Sequence, residues 1–227
     1  MYTPPFFKVQ HPALALAFAA ARGFGLVVSC DGGRPLASHV PFLIEERPGK
    51  GPRVTFHVAR GNPLAALAEK RGSWLLAASG ADAYVSAAWY ASADQVPTWL
   101  YETVHLSGPV AVVPNEHARG HLEALSARFE QGLDEPWTMD KVSPARLEQL
   151  MKAIVVIEML VEDIEGTFKL NQHKNDADHV AIASQLLAEA DPAAQTIAAR
   201  MVALRPQLMY QKPVSAPQAA LADSGDM

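Results

Sequence analysis

Alternation of apolar and polar residues dominates the first part of the chain. Val54, Phe56 and Val58 alternate with Thr55 and His57, the two-residue period of a half-buried strand over 54–59. An apolar run of β type covers 24–30, Asp31-Gly32-Gly33 is a hairpin turn, and 35–44 is the returning strand. Pro41 within that strand implies an edge or a bulge. The stretch 48–52, Pro-Gly-Lys-Gly-Pro, is a loop. Helical spacing appears at Pro12–Arg22, closed by Gly23, and from Asn62-Pro63 to Lys70, with Asn62 as cap and Pro63 in the first turn.

Further strands are predicted at 74–78, 84–87 and 104–113, the last with a bulge or barrel corner at Gly108-Pro109. Asn115 caps a helix to Gln131, and Ser143-Pro144 opens another to Met151. Residues 153–161 are almost uniformly apolar and read as a strand buried on both faces; 168–172 is a short extended piece. Helices over 176–190 and Pro192–Leu204 follow, and 211–227 has the composition of a disordered tail. Many short strands joined by turns, with helices toward the ends, predict an α+β fold: a mainly antiparallel β-barrel of about six strands with flanking helices. The expected organisation is a barrel domain over 1–170, a helical extension over 171–210 and the tail.

Composition adds further constraints. The chain has 227 residues, 49% of them hydrophobic and 19% charged, and a charge fraction below the usual ~25% implies buried surface beyond one core, such as a subunit interface. The net charge of −5 speaks mildly against binding duplex DNA. A lone cysteine, Cys30, excludes intrachain disulfides and is read as a buried apolar residue at a strand end. The start lacks a signal-peptide pattern and the apolar stretch 13–21 is too short to cross a bilayer, so a cytoplasmic protein without a membrane partner is expected.

Candidate chemistry concentrates in 83–101. Aromatics are 7% of the chain, yet Tyr84, Trp89, Tyr90, Trp99 and Tyr101 crowd there beside Ser86 and Thr98, as at a planar ligand or an interface. Arg60 sits where a strand meets a helix N-terminus, a place suited to a phosphate; the alternative is a surface arginine beside an ordinary cap. Lys169 and Lys174 flank Asn171, Gln172 and His173, a group able to hold an anion or a heterocycle, or simply a polar hairpin. His117 and His121 stand four apart on one helix; a solvated face outweighs a metal pair. His39, His57 and His105 each fall on a strand.

Five segments occur together in one order: Met1-Tyr-Thr-Pro, His57-Val-Ala-Arg-Gly-Asn-Pro63, Tyr84-Val-Ser-Ala-Ala-Trp-Tyr90, Val96-Pro-Thr-Trp-Leu-Tyr101 and Lys169-Leu-Asn-Gln172. In this the chain resembles, from Met1 to about Leu204, the PaiB-type FMN-binding negative transcriptional regulators. The resemblance implies an FMN-binding split barrel and a homodimer with FMN at the subunit interface. It implies Arg60 and Lys169 for the phosphate; Trp89, Tyr90 and Trp99 for the isoalloxazine wall; and Ser86, Gln172 and His57 as further contacts. The family pattern has Pro and Ser where Ala87 and Ala88 stand, Asn at Leu100, and Ser, Asn and Arg at Asn171, His173 and Lys174. A repressor, a flavin-dependent oxidoreductase or flavin reductase, and a non-catalytic binding module are the three functional classes that follow.

Overall fold

The computed structural model describes residues 1–47 and 49–210. The expected tail, 211–227, lies outside the described residues, as does Pro48 of the expected loop. The chain divides into two compact units, one formed by Met1–Gly80 with Glu102–Phe168, the other by 81–101 with the chain from 169 onward.

The first unit is organised by an antiparallel sheet of β1 (Phe24–Asp31), β2 (Arg34–Arg47), β3 (Gly51–Ala59), β4 (Ser73–Val85), β5 (Thr98–Val112), β6 (Ile154–Leu160) and β7 (Asp163–Lys169). The order is β4-β1-β2-β3-β6-β5-β7, and an additional β4–β5 pairing partly closes it into the expected split barrel, with seven strands rather than six. Strands β4 and β7 carry the chain from the first unit into the second, and β5 brings it back.

The β1–β2 turn needs two left-handed residues, and Gly32 (φ 56°) and Gly33 (φ 87°) supply them. Pro41 marks the corner of the barrel. Up to Pro41, which faces Phe24, β2 pairs with β1; from Phe42, which faces Phe56, it pairs with β3. A residue without an N–H fits a point where the ladder changes partner. The next N–H, of Phe42, is taken by the Gly23 carbonyl at 2.8 Å. Inside, Phe42, Val54, Phe56, Leu76, Leu106, Ile157 and Met159 are buried completely or nearly so.

Helix α1 (Pro12–Arg22) lays Ala15, Leu16 and Ala19 on this core, and Gly23, at φ 60°, ends it with its N–H on Ala19 O. In α2 (Pro63–Glu69) Asn62 caps as expected, its side chain accepting from Leu64 N. Helices α3 (Ala118–Glu130) and α4 (Pro144–Lys152) complete the unit.

Several expectations are corrected. β4 is one strand through 79–83, because Gly80 leaves room for the Phe18 ring, which a Cβ there would approach to 2.9 Å. It ends at Val85, so Ala87 belongs to a 3-10 turn, Ala87–Trp89. β5 begins at Thr98 rather than 104, and β7 at Asp163 rather than 168. Asn115 starts a separate 3-10 turn, and α3 follows from Ala118 without a side-chain cap. β6 is not buried throughout, since Glu158 is partly open and pairs with Arg53 at 2.6 Å. Cys30 is exposed, because it sits opposite Pro35 beside the tight turn of the hairpin.

In the second unit a helical hairpin, α5 (Asp176–Ala188) and α6 (Pro192–Leu204), packs through Ile182, Ala183, Leu186, Ala194, Ile197, Ala198 and Met201. Buried His179 fixes the pair, its Nε2 3.0 Å from Met201 O. Asn175 and Asp191 cap the two helices through their side chains.

Candidate functional site

Six of the eight residues singled out from the sequence belong to the second unit: Ser86, Trp89, Tyr90, Trp99, Lys169 and Gln172. His57 and Arg60 belong to the first.

Leaving β7, the chain makes a tight turn over 170–174. Asn171 adopts φ 56°, a left-handed conformation that asparagine tolerates better than most residues. Gln172 folds back so that its Oε1 accepts from Leu170 N at 2.8 Å. Two lysines flank the turn. Lys169 Nζ donates to Thr98 Oγ1 at 2.6 Å, and burial holds its pKa below the ordinary lysine range. Lys174 Nζ donates to Gln95 Oε1 at 2.7 Å and lies 5.0 Å from the centroid of the Tyr90 ring. Burial, then Lys174 and Lys169, push His173 below its usual pKa, so the field of both lysines reaches this imidazole. The Tyr90 hydroxyl is raised by burial, against a pull from the Asn171 amide.

Two residues that sequence reasoning missed hold this arrangement. Arg205 clamps the turn from α6, donating from Nη2 to Gln172 O at 3.0 Å and Lys174 O at 2.8 Å while Nη1 meets Asp176 at 2.7 Å. Asp178, buried at the start of α5, accepts from Ser92 N at 2.9 Å, Ser92 Oγ at 2.8 Å and Asn175 Nδ2 at 2.9 Å. Burial opposes its ionisation, but the Ser92 and Asn175 hydrogen bonds win and hold its pKa below the ordinary aspartate range. The signal for Asp178 was present in the Asn175-x-x-Asp178 spacing, which resembles a capping box. Nothing local announces Arg205, whose partners lie about thirty residues away.

Asp178→Ala removes three hydrogen bonds to a carboxylate, and those to charged groups contribute about 1.5–3 kcal/mol each before relaxation. We expect a net loss of about 2 kcal/mol in urea denaturation, since water re-solvates part of the freed loop. An unchanged midpoint would show that Ser92 is held by other means.

The aromatic residues form the second feature. Tyr84 and Trp99 meet edge to face, with centroids 6.0 Å apart and planes at 66°. With Trp89 they line a cleft of about 420 Å³ whose other walls include Leu186 and Ala194 and the carboxylates of Asp82, Glu189 and Asp191. Trp99 is 54% exposed, so much of its side chain is accessible to a ligand. Ser86 instead caps the 3-10 turn, its Oγ accepting from Ala88 N at 3.2 Å.

In the first unit Arg60 is engaged with backbone, its Nε on Lys152 O at 2.7 Å and Nη2 on Ile154 O at 2.9 Å, where β6 begins. His57 Nδ1 lies 3.0 Å from Nε2 of His121, and the two rings meet edge on. His121 is therefore not on a solvated face, as expected from the sequence, but buried against the sheet. Burial, and then the charge of His57, lowers its pKa to about 4. Among the described residues no group of three or more His, Cys, Asp or Glu side chains is arranged to hold a metal. None of the described helices is long and apolar enough to cross a membrane.

Comparison with known proteins extends these observations. Residues 1–163 match the family described as "Putative FMN-binding domain". The Bacillus subtilis "Protease synthase and sporulation protein PAI 2" is 34% identical over 201 residues, 88% of this chain and 96% of that protein. Among solved structures, the fold is similar to the FAD and heme binding protein from Mycobacterium smegmatis (TM-score 0.53, 15% identity, 96% of this chain and 93% of that one). It is also similar to the flavocytochrome Anf3 from Azotobacter vinelandii (TM-score 0.55, 13% identity, 98% and 89%). At such identities the likeness concerns the fold alone, and it agrees with a partly closed antiparallel barrel. With a family match over most of its length and a full-length relative in PAI 2, the chain belongs to the FMN-binding-domain family of PaiB-type proteins.

Proposed function

We propose that this protein is a PaiB-type regulator that binds FMN and acts as a homodimer, with the second unit supplying the cofactor contacts. The observation that carries the reading is the turn at 169–174, where Lys169 and Lys174 meet Thr98, Gln95 and His173. Two cations with hydroxyl and amide groups beside them form a donor set suited to a phosphate monoester. The acidic cleft beside Tyr84 is unsuited to that end of the cofactor, so charge alone orients it. Lys169 and Lys174 would take the phosphate, Trp89, Tyr90 and Trp99 the flat apolar ring, and Gln172 and Ser86 polar contacts. Arg60 and His57 are left out of this set, because both are engaged within the first unit.

When bound, FMN would supply one- or two-electron redox chemistry, and the protein would bind it, orient it and limit access of water. Lys169 would contribute through its charge and Arg205 by holding the turn in place. The regulatory role follows the relative, whose name concerns protease synthesis and sporulation rather than a reaction.

The test is a titration of flavin-free protein with FMN and, in parallel, with riboflavin, followed by flavin fluorescence. We expect micromolar binding of FMN. In the double variant Lys169→Ala, Lys174→Ala the affinity for FMN should fall at least about tenfold, the value of one lost charge-assisted hydrogen bond, while riboflavin is unaffected. Failure to bind FMN at micromolar concentration overturns the cofactor reading. A salt-sensitive shift with promoter DNA supports the regulatory role, and steady NAD(P)H oxidation with FMN would favour an oxidoreductase instead.

A further inference from the structure

We propose that the cleft lined by Tyr84, Trp89 and Trp99 binds an organic cation, an alkylated or protonated amine carried on an apolar or aromatic body. Three aromatic rings and three carboxylates, Asp82, Glu189 and Asp191, share its wall, and no lysine, arginine or histidine does. Among the described residues none of these carboxylates forms an ion pair, so no cationic side chain neutralises them. The one feature that would favour an anion is the N-terminus of α6, which reaches the cleft at Ala193 and Ala194. It is already capped, because Asp191 accepts from Ala193 N at 2.9 Å and sets a negative charge against the positive end of the helix.

The rings supply the other half of the chemistry. The negative π faces of tryptophan and tyrosine attract ammonium groups, and a cation between such faces keeps favourable electrostatics after it loses water. Tyr84 and Trp99 stand nearly perpendicular to each other, so they can present two surfaces to one ligand. Leu186 and Ala194, both buried, form an apolar floor for the body of the molecule. A volume of about 420 Å³ suits a ligand of metabolite size.

Trp89 and Trp99 were assigned above to the isoalloxazine wall, so the role of the cation as substrate or effector rests on the flavin reading. Binding of the cation does not, and it is measured without flavin. Tryptophan fluorescence of the flavin-free protein would be titrated with benzyltrimethylammonium, with benzyl alcohol as neutral and phenylacetate as anionic controls. We expect saturable quenching by the cation, at least roughly tenfold weaker binding of the alcohol and none of the anion. Asp82→Asn with Glu189→Gln, both exposed and conservative, should weaken the cation at least roughly tenfold and leave the alcohol unchanged. Equal binding of cation and anion, or indifference to the double variant, overturns the inference. Protein that binds FMN but not the cation overturns this inference alone, and protein that binds the cation but not FMN overturns the flavin reading alone.

Discussion

Gly108→Ala will cost this protein at least about 3 kcal/mol, the upper part of the range for overpacking, and the soluble yield will fall with it. A Cβ on Gly108 would stand 1.8 Å from the carbonyl oxygen of Leu160, 2.9 Å from its carbonyl carbon and 3.2 Å from Glu162 N. All three are backbone atoms, so no rotamer change relieves the contact. They cannot retreat freely either. On one side Glu162 N donates to Ser107 O at 2.9 Å, and on the other Val161 N donates to Pro52 O at 3.0 Å. Two segments thus approach each other where β5 passes the end of β6, and only a residue without a side chain lets them do so. Gly120→Ala makes the contrasting control. Gly120 lies within α3, exposed, with nothing within 4 Å of a Cβ. Helix propensity alone should make that variant more stable by up to about 1 kcal/mol. Urea denaturation of both separates the two situations, and a Gly108→Ala midpoint equal to wild type would mean that the β5–β6 approach is looser than it looks.

This contrast also marks how far the sequence could be read. Gly108-Pro109 was legible as a special point in the strand, a bulge or a barrel corner, because glycine and proline inside an apolar run have few other uses. The backbone that demands the glycine lies more than fifty residues away, so the cost of replacing it was not. The same division holds for the other elements. α1, α2 and β3 followed from local pattern and capping, whereas Pro41, read as an edge or a bulge, is the point where β2, inside the sheet, changes partner. β4 was misread as two strands because Gly80 and Asp82 interrupt its alternation, and the Phe18 ring that accounts for Gly80 comes from another element. The burial of His121 did have a signal. Ala118, His121 and Leu125 share one face of α3 at helical spacing, and all three are buried. Within the candidate site the lysines and the aromatic segment were legible as unusual residues in short motifs. Asp178 left a trace in the Asn175-x-x-Asp178 spacing, whereas Arg205 holds the turn through distant chain contacts that no local pattern records.

Acidification from pH 7.5 to pH 4 will remove about 3 kcal/mol of stability through His121 alone, given a pKa of about 4 against an ordinary 6.5. The sign follows from which state takes up the proton. An unfolded chain protonates this histidine as the pH passes 6.5, whereas the folded protein resists until about pH 4. Between those values the unfolded state binds more protons, so stability is complete above about pH 6.5 and declines as the pH falls toward 4. Burial is the larger cause of the shift, and the neighbouring His57 the smaller. His57 moves in the same direction, lowered by its own burial, and can only steepen the decline. The rings are 3.0 Å apart through Nδ1 of one and Nε2 of the other, a bond that needs one donor and one acceptor. Two imidazolium ions would face each other with no acceptor between them. Since His121 contacts His57 of β3 from α3, protonation should loosen that helix first, which amide exchange along α3 would register as lost protection. His121→Gln keeps a polar side chain but cannot titrate. It should be less stable than wild type at pH 7.5, and the gap should narrow by about 3 kcal/mol by pH 4. Parallel stability curves for the two proteins would show that this histidine pair does not control the response to acid.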